Sequence, residues 1–285
     1  MDIPPRQAAP REISMRELLN EYTSVLLDAY GVLVNADGAL PHAVALIDEL
    51  NRTATPYCIV TNDASRSPAT CAARFAALGL AIPAACITTA GDLIADYFAT
   101  HRLAGARTLV LGTDDSRDYI RHTDGEIVPI APGLDVDVIA VCDDAGFPFL
   151  AGAEIALSAA IRSLDAGRPV HLLLPNPDIV YPKSTTEMGF TAGAIALMIE
   201  TALARRYPQS PPQFARLGKP APALLRRGAA RIGGRPIMIG DQLETDIAAA
   251  CAATIPCALI AGVSRWSAQR TDGMVPNYGL GSLAL

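Results

Sequence analysis

Acidic, amide and hydroxyl side chains follow short apolar runs of this chain, at positions where they could act together. Asp28 follows the run S-V-L-L, and Asp241 and Asp246 belong to the string I-G-D-Q-L-E-T-D-I. Thr61 and Asn62 end the run Y-C-I-V-T-N. Short, fully apolar runs are typical of buried strands in a parallel sheet. Because open α/β sheets bind ligands at the carboxyl ends of their strands, we expect these side chains to share one site.

Together with Lys219 in the string L-G-K-P-A-P, these residues supply what phosphoryl transfer through an aspartyl-phosphate requires. A carboxylate attacks phosphorus, and Asp28 is the candidate nucleophile. Further carboxylates and waters hold Mg²⁺ between the nucleophile and the phosphate. An ammonium group and hydroxyl or amide donors hold the phosphate oxygens. Taken singly, each residue has an ordinary structural interpretation, such as a helix cap at Asp241 or a solvated surface charge at Lys219.

The segments around these clusters alternate between strand and helix patterns, which indicates a parallel α/β fold. A further α/β segment separates Asn62 from Lys219, and the Pro-rich junction Y-P-Q-S-P-P-Q follows it. We therefore predict a core domain formed by residues 1–87 and 208–285, with an inserted α/β domain at residues 88–207. Two tandem domains are the alternative. We prefer an insertion because the polar strand ends of the first and last segments form one site.

Local signals predict smaller features around this core. Asp37-Gly38, between apolar flanks, predicts a β-hairpin. The segment Glu244–Ala252 carries a helix pattern. Residues 1–13 are predicted to form a loose arm, and the residues from Gln269 onward are predicted to be irregular.

The composition excludes several classes of function. Hydrophobic residues make up 51% of the chain and charged residues 18%, so we expect a sizeable core. A net charge of −6 argues against a nucleic-acid partner, which usually needs a basic face. No apolar run approaches the roughly 20 residues of a membrane span, and the N-terminus lacks the apolar segment of a signal peptide. We expect a soluble, cytoplasmic protein with reduced cysteines, since none of the six cysteines form a C-x-x-C pair.

These motifs, in this order, resemble the haloacid dehalogenase (HAD) superfamily of phosphohydrolases. The strings V-T-N-D-A-S, N-P-D-I-V-Y-P, L-G-K-P-A-P and I-G-D-Q-L-E-T-D-I are similar to its subclass IIA branch, which includes nucleotide, phosphoglycolate, pyridoxal-phosphate and p-nitrophenyl phosphatases. The resemblance implies a three-layer, Rossmann-like α/β core with a parallel sheet and an inserted α/β class II cap domain. It also implies Mg²⁺-dependent hydrolysis of a small phosphorylated metabolite, and pairing of two copies through the cap.

Carried over by position, the resemblance assigns roles to the strand-end residues. Asp28 would be the nucleophile. Asp28, the backbone carbonyl of Tyr30 and Asp241 would hold Mg²⁺. Asp246 would lie beside the metal ligands without contacting the metal.

The resemblance also assigns the residues that bind substrate. Thr61, Asn62 and Lys219 would bind the phosphate group. Asn176 and Asp178 would lie on the cap loop that, in this branch, faces the site and helps to choose the substrate.

The chain departs from the family pattern at Tyr30. Family phosphatases have a second Asp at this position, which protonates the leaving alcohol and then activates water. A phenol, with a reference pKa of about 10, can donate a proton but is a poor base at pH 7. We therefore predict that phosphorylation of Asp28 survives while hydrolysis of the aspartyl-phosphate is impaired. Asp37 and Asp63 are the other candidates for the acid or base, and each has a simpler interpretation as a turn residue.

Two other functions remain open. The motif D-A-Y-G also resembles the nucleophile motif of the superfamily's 2-haloacid dehalogenases, which attack carbon and need no metal. Those enzymes lack the acidic G-D-x-x-x-T-D cluster that this chain keeps, so dehalogenation ranks below phosphate ester hydrolysis. The third function is a binding protein for a phosphate ligand that has lost turnover, which Lys219 and Asp241 would serve equally well.

Overall fold

The computed structural model describes residues 9–184, 186–262 and 274–285 of the 285-residue chain. The strands are β1 (Arg11–Ile13), β2 (Ser24–Leu27), β3 (Val34–Asn35), β4 (Gly38–Ala39), β5 (Tyr57–Thr61), β6 (Ile87–Thr89), β7 (Arg107–Leu111), β8 (Glu126–Val128), β9 (Val138–Val141), β10 (His171–Leu174), β11 (Val180–Pro182), β12 (Met188–Phe190), β13 (Ala215–Arg216), β14 (Pro236–Gly240), β15 (Cys257–Ile260) and β16 (Tyr278–Leu280). The α-helices are α1 (Met15–Glu21), α2 (Ala43–Arg52), α3 (Pro68–Ala77), α4 (Leu93–His101), α5 (Asp114–Arg121), α6 (Phe149–Asp165), α7 (Ala192–Arg206), α8 (Ala223–Ile232) and α9 (Ala248–Ala253). Short 3₁₀ turns lie at Ala84–Cys86 and Ala90–Asp92, and a π-helical turn spans Leu243–Ile247. Among the helices that the structure describes, none combines the length and apolarity that crossing a bilayer requires.

The chain divides into two compact units. The first unit contains the described residues up to Thr61, the segment Pro68–Thr88 and the described residues from Lys219 onward. The second unit contains Asn62–Ser67 and Thr89–Gly218. The chain returns to the first unit after Gly218, whereas the predicted boundary fell between residues 207 and 208. The difference arises because the two-residue strand β13 pairs with β10 and so belongs to the sheet of the second unit.

The sheet of the first unit brings the ends of β2 and β14 together. Its seven strands have the order β1-β16-β15-β14-β2-β5-β6. β2 runs parallel to both β14 and β5, and Leu27 pairs with Ile239 in register. Because neighbouring parallel strands end at the same edge of a sheet, Asp28 after β2 and Asp241 after β14 lie at adjacent strand ends.

Helices cover both faces of this sheet. Val25 and Leu27 of β2 pack into an apolar cluster with buried side chains of α1, α2 and α3. Leu26 points to the opposite face, as the alternation of side chains along a strand requires. There a Cβ on Gly228 of α8 would lie 3.1 Å from Leu26 Cδ2 and 2.7 Å from Val60 Cγ1, so the glycine lets α8 pack closely. These contacts confirm the three-layer α/β core.

The second unit repeats this construction on a smaller sheet. Its five strands have the order β13-β10-β9-β7-β8 and pair in parallel throughout. Leu109 and Leu111 of β7 pack with side chains of α6 and α7. Val110, between them, packs on the other face with Phe98 of α4 and Ile120 of α5. The predicted α/β character of the insert is therefore confirmed.

The structure corrects two predictions about the ends of the chain. Arg11–Ile13 forms the edge strand β1 rather than a loose arm, and it pairs in parallel with Tyr278–Leu280. That partner lies in the segment predicted to be irregular. Strands of three residues are too short to show a hydrophobic period, so the pattern could not reveal them. Residues 1–8 and 269–273, on which these predictions also bear, lie outside the described residues.

One local prediction is confirmed, because the hairpin expected at Asp37-Gly38 is the antiparallel pair β3–β4. Among the six cysteines, Cys251 is exposed.

The core of the first unit can be tested at Leu46 of α2, which is fully buried in its apolar cluster. Leu46→Ala removes buried methyl groups and leaves a cavity, so the free energy of unfolding should fall by about 2–5 kcal/mol. Urea unfolding followed by circular dichroism measures the change. Leu150 of α6 is 61% exposed, and Leu150→Ala is the matched control. The control should stay within about 0.5 kcal/mol of wild type, and equal losses in the two variants would contradict the assigned core.

Candidate active site

Asp28 is fixed at the end of β2 by its backbone and by its side chain. Its N–H donates to the carbonyl of Ile239 at 3.0 Å, which continues the pairing with β14 for one more residue. The residue is only 6% exposed, and Lys219 Nζ donates to Asp28 Oδ1 at 2.6 Å. A carboxylate is stable in such a buried position only when it is paired and hydrogen-bonded.

Lys219 connects two carboxylates. Its ammonium group also donates to Asp246 Oδ1 at 2.6 Å, and both Lys219 and Asp246 are buried. Burial alone would lower the pKa of Lys219, but Asp246 and Asp28 raise it above its usual value, so the group stays charged. Burial raises the pKa of Asp28 to about 8; Lys219 opposes that rise, and Asp246 and Asp241 add to it. Without a bound cation, the site therefore disfavours the charged form of Asp28.

A π-helical turn carries the acidic cluster that follows β14. Ile247 N–H donates to the carbonyl of Gln242, five residues back, at 3.2 Å. The Asp246 carboxylate turns back to accept the N–H of Gln242 at 3.1 Å. The α-helix predicted from Glu244 therefore begins only at Ala248, after the turn. Turns of this kind recur at functional sites, where they direct a side chain away from its α-helical position.

Glycines that the sequence analysis did not single out allow the backbone to approach these carboxylates. Gly31 has a φ of +95°, and a Cβ there would lie 2.2 Å from Asp241 Oδ2. A Cβ on Gly240 would lie 2.2 Å from Asp246 Cβ. Any side chain at either position would displace a carboxylate. The strings D-A-Y-G and I-G-D, in which a glycine lies close to an acidic residue, could have indicated these close approaches.

The three carboxylates fit a divalent metal ion. Asp28, Asp241 and Asp246 each offer an oxygen atom, and these atoms lie within 4.8 Å of one another. The Lys219 ammonium offsets one of the three negative charges, and a buried excess of negative charge favours a bound cation. Carboxylate oxygens suit Mg²⁺ better than they suit softer metals. The three carboxylates therefore fit a divalent ion of the kind that the sequence predicts.

Tyr30 and Thr61 lie at the ends of neighbouring strands in the first unit. Tyr30 lies on the turn after Asp28, where its partly buried ring packs against the apolar cluster of the unit. The backbone of Tyr30 forms a bridge with Val34, at the start of the β3–β4 hairpin. Thr61 is the last residue of β5 and is partly buried.

Asn62, Asn176 and Asp178 are brought together in the second unit. Asn62 is 5% exposed, and its Nδ2 donates to Asp178 Oδ1 at 3.0 Å. Asn176 Oδ1 accepts the N–H of Asp178 at 3.0 Å, and Asn176 Nδ2 donates to Thr191 Oγ1 at 3.2 Å. Gly193 N–H in the first turn of α7 donates to the carbonyl of Asp178 at 2.9 Å. The predicted substrate loop is thus a hydrogen-bonded group that includes Asn62.

Asp63 and Asp37, the other acid/base candidates, have structural roles. Asp63 Oδ1 accepts the N–H groups of Ser65 and Arg66 at 2.7 and 3.1 Å. Its second oxygen forms an ion pair with Arg66 at 2.9 Å. Asp37 is exposed at the tip of the hairpin, where its N–H donates to Asn35 Oδ1. These contacts support the interpretation of both as turn residues.

Proteins with related sequences and folds show the family. A family model of haloacid dehalogenase-like hydrolases matches residues 25–126, and a HAD-hydrolase-like model matches residues 216–278. Chronophin of Mus musculus is 29% identical over 291 residues, which cover 96% of this chain and 95% of chronophin.

Solved structures agree with this relationship. A structure described as a possible sugar phosphatase of the HAD superfamily, from Cytophaga hutchinsonii, superposes with a TM-score of 0.81 at 27% identity and covers 97% of this chain and 99% of its own. A glycerol phosphate phosphatase of Mycobacterium tuberculosis, solved in complex with magnesium, gives a TM-score of 0.77 at 25% identity, with 96% of this chain and 78% of its own covered. The resemblance drawn from the motifs is confirmed: the chain belongs to the haloacid dehalogenase-like hydrolases, in their subclass IIA branch.

Proposed function

We propose that this hydrolase cleaves a small phosphate monoester, with Asp28 as nucleophile and Mg²⁺ as cofactor. The observation that carries the proposal is the buried group of Asp28, Asp241, Asp246 and Lys219 at the ends of β2 and β14. Such a group suits a divalent cation and a phosphate dianion together. The cation offsets the negative charge of the carboxylates, and the phosphate offsets the positive charge of the cation and of Lys219. Both solved structures named above are described as phosphatases, and one of them contains magnesium.

The buried charged residues of the first unit and the backbone of Tyr30 each have a proposed role in this reaction. Asp28, Asp241 and the backbone carbonyl of Tyr30 would hold Mg²⁺, which offsets charge on the nucleophile and on the phosphate oxygens. Asp246 fixes the Lys219 ammonium by accepting its hydrogen bond at 2.6 Å. Lys219 then binds phosphate oxygens as a positioned point charge.

Hydroxyl and amide donors have proposed roles in substrate binding. Thr61, at the end of β5, is proposed to donate its hydroxyl to a phosphate oxygen. Asn62, also proposed to bind phosphate, is held in the second unit by its hydrogen bond to Asp178. Asn176 and Asp178 are proposed to contribute to the choice of substrate as one hydrogen-bonded group.

The reaction needs both an acid and a base. Asp28 attacks phosphorus, an oxygen–phosphorus bond forms, and the bond to the departing alcohol breaks as that alcohol takes up a proton. Water then attacks phosphorus, releases inorganic phosphate and restores Asp28, and a base must accept the proton of that water. A Tyr30 phenol could serve the first step but not the second, because it is protonated at pH 7. We therefore propose that dephosphorylation limits the rate.

Two functions compete with this proposal. Tyr30 stands where family phosphatases have an Asp, which favours a protein that binds a phosphate ligand without turnover. Such a protein would bind phosphate esters in the presence of metal and would hydrolyse none of a panel of phosphate esters. A 2-haloacid dehalogenase would release chloride from 2-chloropropionate in the presence of EDTA. Either result would replace the phosphatase assignment.

The metal site predicts a Mg²⁺-dependent rise in stability. At a Mg²⁺ concentration of 100 times its Kd, the free energy of unfolding should rise by about 2.7 kcal/mol, which thermal unfolding detects. Asp241→Asn should abolish most of this rise, and it should not destabilise the metal-free protein because it removes one of three repelling carboxylates. Asp37→Asn, on the exposed hairpin tip, is the control and should respond to Mg²⁺ as wild type does. A wild-type response in Asp241→Asn would place the metal elsewhere.

Slow dephosphorylation predicts a phosphoenzyme that accumulates. After incubation with p-nitrophenyl phosphate and Mg²⁺, the intact mass of the protein should increase by one phosphoryl group, and Asp28→Asn should show no increase. Tyr30→Asp supplies the missing base and should raise turnover by about 10²–10⁴-fold, whereas Tyr30→Asn, of similar size to Asp, should not. Alkyl phosphates should react more slowly than p-nitrophenyl phosphate in the wild type. Rapid turnover of alkyl phosphates without a trapped phosphoenzyme would refute the proposal.

We also propose that two copies of the chain pair through the second unit. The β11–β12 hairpin presents Val180, Met188 and Phe190 at 47%, 61% and 66% exposure, and Val180 and Phe190 are partners across the hairpin. Large exposed apolar groups that lie together often mark an interface between proteins. Light scattering should give a dimer for wild type and a monomer for Phe190→Glu. Leu285→Glu, at an exposed apolar position of the first unit, is the control and should remain dimeric, and a monomeric wild type would exclude the pairing.

A further inference from the structure

A group of two imidazoles and a phenol in the second unit takes no part in the proposed reaction. His101 is the last residue of α4, Tyr97 lies one turn earlier on the same helix, and His171 begins β10. The ring centroids of His101 and His171 are 5.3 Å apart. The Tyr97 ring stacks on His101 at 4.0 Å and meets the His171 ring edge-on at 5.8 Å. The three rings thus form one cluster, and we call it the histidine pair with Tyr97.

Hydrogen bonds to Nδ1 leave the Nε2 atom of each ring as the candidate metal ligand. His101 Nδ1 lies 2.9 Å from the backbone carbonyl oxygen of Tyr97. A carbonyl only accepts, so this Nδ1 carries the proton and the neutral ring has its lone pair on Nε2. His171 Nδ1 lies 3.0 Å from Tyr97 Oη, a hydroxyl oxygen that can accept a hydrogen bond when Nδ1 carries the proton. Metal-binding histidines share this arrangement, in which the second ring nitrogen donates to a fixed oxygen and orients the ring.

The spacing and the environment of the two rings also suit a bound ion. When the metal–nitrogen bonds are about 2.1 Å long, two imidazoles on a tetrahedral ion place their ring centroids roughly 5 Å apart. The observed separation of 5.3 Å is close to that distance. His101 is exposed and His171 is partly buried, so an ion can reach the pair from solvent.

We propose that His101 and His171 form a site for a transition-metal ion of the Cu²⁺ or Zn²⁺ class, bound through both Nε2 atoms and completed by water. Imidazole ligands suit these ions, whereas Mg²⁺ prefers oxygen ligands such as those at the end of β2. Tyr97 is a positioning residue, because it orients both rings without contacting the ion. Bound metal joins the end of α4 to the start of β10 and stabilises the folded second unit.

Copper provides the test, because its electron paramagnetic resonance spectrum reports how many imidazole nitrogens bind it. The protein is titrated with Cu²⁺ under saturating Mg²⁺, and exposed Cys251 is replaced by Ser in every sample so that its thiol cannot compete. Wild type should bind one Cu²⁺ with couplings from two imidazoles. His101→Gln and His171→Gln should each leave one coupled imidazole and lower the affinity by at least about tenfold. Cu²⁺ should bind more tightly than Zn²⁺.

Two further variants separate the site from nonspecific binding. Tyr97→Phe keeps both imidazoles but removes the hydroxyl that holds His171, so the affinity should fall about tenfold while the two couplings remain. His122→Gln changes another exposed histidine of the same unit and should bind as wild type does. A spectrum with one coupled imidazole in wild type, or unchanged binding in the double variant His101→Gln/His171→Gln, would overturn the proposal. Neither outcome depends on whether the protein hydrolyses phosphate esters.

Discussion

One buried ammonium group holds the candidate active site together. Lys219 Nζ lies 2.6 Å from an oxygen of Asp28 and 2.6 Å from an oxygen of Asp246, and all three side chains are almost inaccessible to solvent. Removing one partner of such a buried group leaves an uncompensated charge, at a typical cost of about 3–5 kcal/mol. The surrounding structure positions these groups. Parallel pairing of β2 with β14 places Asp28 and Asp241 at adjacent strand ends, and glycines allow the backbone to lie close to the carboxylates.

The same charges connect structure to function. Burial raises the pKa of Asp28 to about 8 against the opposing effect of Lys219, and repulsion from Asp246 and Asp241 adds to the rise. In the proposed function a divalent cation would relieve that repulsion and a phosphate group would then restore the balance of charge, so that the binding of metal and the binding of substrate would be coupled. The clustered carboxylates therefore reduce the stability of the folded protein, as groups at functional sites often do. In the proposed mechanism Tyr30 has a different effect, because it would leave the binding of metal and phosphate intact and would slow only the hydrolysis of the phosphorylated Asp28.

Much of this could be predicted from the sequence because strand ends and apolar runs are local signals. The runs before Asp28 and Asp241 placed both residues at the ends of buried parallel strands, and the structure makes those strands neighbours. Features that depend on distant partners escaped prediction. The strand Arg11–Ile13 exists only because Tyr278–Leu280, near the other end of the chain, pairs with it. The π-helical turn depends on the carboxylate of Asp246 reaching back to the backbone, which no periodic pattern records.

A crystal structure of the protein with Mg²⁺ and beryllium fluoride, which mimics a phosphoryl group on a carboxylate, tests the proposed site most directly. We predict beryllium bound to a carboxylate oxygen of Asp28, Mg²⁺ held by Asp28 and Asp241, and the Lys219 ammonium directed to a fluorine. An ordered Mg²⁺ away from these carboxylates, or an Asp28 that remains unmodified while beryllium fluoride binds another residue, would contradict the proposed roles of these residues.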